Sequence, residues 1–180
     1  MYDPFHFNDV EPLTAAMASA FPQFAAGDLL ISSRTLNALF VLDPKTLHIK
    51  WYVVGATLGQ HDPDWEPDGT ISVFNNRIDR GSSQIVSIDP KTGARTVLLD
   101  GAKIGFYSRI RGRHMHSASG NLVIASPQQG ESFEVNPAGK VVMQYADMGP
   151  AGTNLNLTMT ELTWLPPDTF TKGDVTCATH

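Results

Sequence analysis

Asp43-Pro44-Lys45-Thr46 recurs as Asp89-Pro90-Lys91-Thr92 and, more loosely, as Asn136-Pro137-Ala138-Gly139. The steps from 43 to 89 and from 89 to 136 are 46 and 47 residues. Asp-Pro-Lys-Thr-Gly reads as a turn: Asp accepts from the backbone, Pro fixes φ, and Gly permits positive φ. Each copy sits in the same frame. Ahead of it lies a Gly-led apolar run: Gly27 to Ile31, Gly69 to Val73, and Gly120 to Ile124. A second run ends at the turn: Ala38 to Leu42, Gln84 to Ile88, and Glu131 to Val135. A third follows it: Ile49 to Val53, Arg95 to Leu99, and Lys140 to Tyr145. The runs are short, rich in β-branched and aromatic residues, and bounded by turn formers, which is the signature of strands.

A further segment precedes each glycine, at Phe7 to Leu13, Asp64 to Pro67 and His116 to Ser119. Four strands in a unit of about 46 residues fit one β-propeller blade, with a β-sandwich as the alternative. The expected architecture is all-β: one partial β-propeller domain over 1–180, with blades at approximately 5–55, 60–100 and 111–147. Residues 157–166 are expected to start a fourth blade, and 167–180 to be an irregular tail. Thr14 to Ala20 reads as a helical turn or two, inside a loop insertion between the first two strands of blade one. A six-bladed ring at about 45 residues per blade needs roughly 270 residues. The chain is therefore expected to be part of a longer protein, a truncated product, or half of a homodimeric ring.

The 180 residues are 42% hydrophobic and 17% charged, which is a foldable composition. Thirteen Lys and Arg against 18 Asp and Glu give a net charge of −5. A mildly acidic chain without a basic run argues against a nucleic-acid or anionic-membrane partner. No apolar stretch approaches the roughly 18–20 residues of a membrane span. The opening Met1-Tyr2-Asp3-Pro4 shows no signal peptide. The single cysteine, Cys177, rules out an internal disulfide and a Cys-based zinc site. Trp51, Trp65 and Trp164 read as packing residues, and Asn156-Leu157-Thr158 matches a glycosylation sequon.

The first strand of each propeller blade lines the central channel. Four of the six histidines fall at blade openings: His6, His61, His114 and His116. Repeated around one axis, they can converge on one channel mouth. Three histidines could hold zinc. No carboxylate accompanies each of them, so the expectation is no metal.

From about Asp3 to Asp147 the chain resembles the arylsulfotransferase family of six-bladed propellers. The resemblance rests on Phe5-His6-Phe7-Asn8, on Gly27 to Arg34 with Asn37 to Asp43, and on Gln60-His61-Asp62-Pro63. It continues through Asp68-Gly69 to Asn75-Asn76-Arg77, Phe106 to Gly112, and Gly120-Asn121-Leu122 to Val135. It implies transfer of a sulfuryl group from an aryl sulfate to a phenol through a sulfohistidine, with no nucleotide donor and no cofactor. By position, His61 is similar to the family's nucleophile, His6 to a helper histidine, and Arg34 to an arginine that holds the sulfuryl oxygens. Asn8, Arg111 and His114 are the expected substrate-binding residues. Arg109, Arg111 and Arg113 could attract an anionic substrate or form a solvated loop.

The chain departs from the family pattern in two places. It supplies no histidine from an earlier blade, so an inactive fragment is within the expectation. It also carries Ser117-Ala118-Ser119-Gly120-Asn121 where the pattern has Pro-Asn-Gly-Asn. The resemblance suggests an exported, periplasmic or membrane-associated setting. Two other classes stay open: a non-catalytic propeller that binds a ligand or partner, and a metal-dependent hydrolase using histidine with Asp62 or Asp64.

Overall fold

The computed structural model describes residues 3–153, 155–163, 165 and 169. Its strands form three four-stranded antiparallel sheets, each a meander in chain order. The first holds β1 (Phe7–Pro12), β2 (Leu29–Ser33), β3 (Ala38–Asp43) and β4 (His48–Val54). The second holds β5 (His61–Trp65), β6 (Ile71–Asn75), β7 (Gln84–Ile88) and β8 (Arg95–Asp100). The third holds β9 (Arg113–His116), β10 (Leu122–Ser126), β11 (Glu131–Val135) and β12 (Val141–Ala146). The fold is all-β, and the sheets have the form of propeller blades; the sandwich alternative falls away.

The first strands of the second and third blades begin earlier than Asp64 and His116. Glu66 to Gly69 and Ser117 to Gly120 are instead tight turns, closed by Gly69 N–H to Glu66 O (3.0 Å) and Gly120 N–H to Ser117 O (2.9 Å). Both glycines take the positive φ such turns require. Of residues 157–166, expected as the start of a fourth blade, the described ones carry no strand; Met148 and Asn156 make one isolated bridge nearby. Trp164, Cys177 and His180 lie outside the described residues, as does all of the tail from 166 except Thr169.

The turns after β3 and β7 share one device, with one substitution that costs energy. Gly93 N–H donates to Asp89 O at 2.8 Å, and Leu47 N–H donates to Asp43 O at the same distance. Gly93 has φ +73; Leu47, at the matching place, has φ +58. A Cβ is disfavoured there.

Every residue of β6 and β10 is buried. The core is two clusters, one at each blade junction. Between the first and second blades, Leu30, Leu39 and Val41 meet Ile71, Val73 and Ile88. Between the second and third, Phe74, Ile85 and Phe106 meet Leu122, Ile124 and Phe133. The insertion after β1 is more than a surface loop. It contains one short 3-10 turn (Ala18–Ala20) and sends Phe21 and Phe24 into the first junction. Their rings meet Trp65 edge-on, with centroids 4.6 and 5.6 Å away.

Candidate active site at the blade openings

β5 lies between β1 and β9 and touches both, so the three blade-opening strands run side by side. Each of β1 and β5 carries an irregularity near its start, at Asn8 and at Asp62. Asp62 adopts φ +53, a conformation that aspartate tolerates better than most residues. The bulge turns its side chain towards β9. Asn8 Nδ2 donates to Gln60 O at 2.8 Å, tying β1 to the residue ahead of His61. Gln60 is wholly buried, and its Nε2 lies 3.0–3.1 Å from Ser32 Oγ, Ser33 O and Ala38 O, so His61 stands on a rigid footing.

His61 is half-buried at the first position of β5. Its Nδ1 lies 2.9 Å from Asn76 Oδ1, and its Nε2 accepts from Arg111 N–H at 3.1 Å. Burial, followed by the charges of Arg34 and His6, holds its pKa below the ordinary histidine value, against the hydrogen bond to Asn76. His6, Arg34 and His61 are thus one electrostatic neighbourhood. His6 precedes β1 in a left-handed conformation (φ +47), with its backbone N–H on Asp3 Oδ1. His6 O accepts from Arg34 N–H at 3.0 Å, which brings that pair together. Arg34 Nε is buried and has no hydrogen-bond partner among the described residues.

A cleft of about 320 Å³ opens beside His61, lined by Asn8, Asp9, Asp62, Arg111, Gly112, Arg113, Thr160 and Glu161. Of the expected substrate-binding residues, Asn8 and Arg111 lie on this cleft and His114 does not. The His114 side chain has no exposed surface. Its Nδ1 is 2.9 Å from Asp62 Oδ2, its Nε2 is 2.7 Å from Ser72 Oγ, and Ser72 Oγ donates onward to Glu66 Oε1 at 2.6 Å. Burial alone would lower the His114 pKa, but the bond to Asp62 and the charges of Asp62, Asp64 and Glu66 carry it above the ordinary value. His114 thus bridges Asp62 and Ser72 from β9 and locks β9 to β5. His116, at the end of β9, is partly exposed and lies 3.7 Å from Glu66 Oε1.

Asp62, Asp64 and His114 offer ligand atoms within 4.8 Å of one another, a spacing a metal ion could use. The donor set fits poorly, because both His114 nitrogens are already hydrogen-bonded. A metal would have to displace one of these bonds.

A family profile described as arylsulfotransferase (ASST) matches residues 1–148. The chain belongs to the arylsulfotransferase family. No curated protein matches it. Among solved structures, a protein of unknown function from Bacteroides caccae is similar at 15% identity and a TM-score of 0.49. The similarity covers 81% of this arylsulfotransferase-family chain and 47% of that chain, so the present chain spans under half of its length. Sequence reasoning singled out His61, His6 and Arg34, but missed Asn76 and the Asp62–His114 lock. Asn76 lies within a stretch that carries the family resemblance, yet nothing local marks an Asn after a strand as more than a turn residue.

Proposed function

We propose that this arylsulfotransferase-family chain carries a sulfuryl-transfer site with His61 as nucleophile, an aryl sulfate as donor and a phenol as acceptor. The observation that carries this reading is the depressed basicity of His61, set by burial and by Arg34 and His6, at the edge of a cleft. A neutral imidazole is a competent nucleophile near neutral pH. An imidazole nitrogen attacks sulfur, the S–O bond to the aryl group breaks, and the aryl oxide leaves with a proton from His6. The phenol oxygen then attacks the sulfohistidine sulfur, its proton passes to His6, and the N–S bond breaks. No oxidant, nucleotide or metal enters this sequence. Arg34, whose Nε has no hydrogen-bond partner among the described residues, and Arg111 on the cleft supply positive charge for the sulfuryl oxygens.

The test is release of 4-nitrophenol from 4-nitrophenyl sulfate with phenol as acceptor, with light scattering on the same sample to count copies in the active species. Acceptor-dependent release, loss of it in His61→Ala, and a sulfuryl adduct located on His61 by mass spectrometry are expected. Unchanged turnover in His61→Ala would remove the assignment.

A further inference from the structure

We infer that Asn76 is a positioning residue for His61: its amide decides which imidazole nitrogen carries the proton, and holds the Ser108–Gly112 loop against the other nitrogen. The inference rests on the reading of His61 as the attacking group. Asn76 directly follows β6 and is wholly buried. Its Nδ2 donates to two backbone carbonyls, Ser108 O at 2.8 Å and Arg111 O at 2.6 Å. An amide nitrogen has two hydrogens, so both are used. Flipping the amide would press its oxygen against two carbonyl oxygens, so this orientation is the one the network allows. Asn76 Oδ1 is thereby turned to His61 Nδ1, 2.9 Å away. A carbonyl oxygen only accepts, so Nδ1 must hold the proton.

The other side of the ring reaches the same answer independently. The group facing His61 Nε2 is the Arg111 backbone N–H, a donor, at 3.1 Å. A donor needs a lone pair, so Nε2 is the unprotonated nitrogen. Arg111 reaches this position with φ +61, followed by Gly112 at φ +132. The loop is fixed there by Asn76 and by the close approach of Gly112 to the Phe74 ring. Asn76 thus prepares Nε2 for attack while the loop it holds covers that nitrogen with one exposed hydrogen bond, which a donor substrate must displace. The charged and titratable groups that act on His61 or line its cleft are His6, Arg34, Asp9, Asp62, Arg111, Arg113 and Glu161. None of them contacts Nδ1, so the tautomer falls to Asn76.

The experiment is long-range 1H–15N NMR on the full chain labelled with 15N-histidine, from about pH 5 to 8, across the range where imidazole titrates. His61 in the wild type should show a single neutral form with the proton on Nδ1. In Asn76→Ala it should become a mixture containing the Nε2–H form. The kcat for 4-nitrophenyl sulfate should then fall roughly tenfold or more with KM changed less, as a wrong tautomer costs turnover. A proton on Nε2 in the wild type overturns the inference, and this decides the matter even if Asn76→Ala fails to fold. An unchanged Nδ1–H form in a folded Asn76→Ala overturns it as well. Asn76-dependent Nδ1–H without any sulfohistidine on His61 would sink the transfer reading and leave the positioning role standing.

Discussion

Asp64→Asn should make the protein more stable at alkaline pH. Asp64 lies on β5 with its carboxyl 3.7 Å from His114 Nε2, and about a third of its side chain (32%) is exposed. Burial, the largest influence, raises its pKa; the His114 charge pulls it down; Asp62, Glu11 and Glu66 push it up, and the result is about 7. The folded value lies above the ordinary 3.8, so the unfolded chain gives up its proton first. Stability from this group is full below about pH 4 and is lost as pH climbs through about 7. A rise of about three pKa units at 1.36 kcal/mol each sets a ceiling near 4 kcal/mol. Water reaches part of the side chain, so the expected gain from Asp64→Asn at pH 8 is about 1–2 kcal/mol. Urea denaturation of both proteins at about pH 5 and pH 8 reads it as a shift in midpoint. His114, whose pKa is raised, loses its own contribution as pH rises through its folded value, so a residual slope should remain in the variant. A variant less stable than wild type at pH 8 would refute the reasoning. It would mean that attraction between an ionised Asp64 and His114 outweighs the cost of burial.

The remaining predictions concern the turn, the loop and His61. Leu47→Gly should stabilise the protein by about 0.5–1 kcal/mol in thermal or urea unfolding, because Leu47 is 73% exposed and held at φ +58; a loss of stability would show that its side chain packs. Gly112→Ala should destabilise by about 1–3 kcal/mol, since the new Cβ would lie 2.6 Å from the Phe74 ring in a left-handed backbone. A neutral result in the same denaturation would mean the loop shifts freely. The acid limb of kcat/KM for 4-nitrophenyl sulfate should fall below the ordinary 6.5 of histidine, as His61 is held neutral by burial and by Arg34 and His6. Arg34→Gln should move that limb upward; a limb unmoved by Arg34→Gln contradicts the electrostatic reading.

The repeated Asp-Pro-Lys-Thr turns and the short apolar runs around them were sufficient, without any structure, to specify three four-stranded meanders and an all-β chain. Turn chemistry and period-two patterning act over a few residues, so they are written in the local order of the chain. His61, His6 and Arg34 were legible through family resemblance, although their shared electrostatics required the fold. The sequence did not show that the insertion after β1 sends Phe21 and Phe24 against Trp65, over forty residues away. It did not show that His114 is locked behind Asp62, across a separation of 52 residues. Nor did it show that Asn76 spans from His61 to the loop at Ser108 and Arg111. These arrangements depend on how one blade stacks on the next. Local propensity decides the meander within a blade, while only the packing between blades decides which buried polar groups meet.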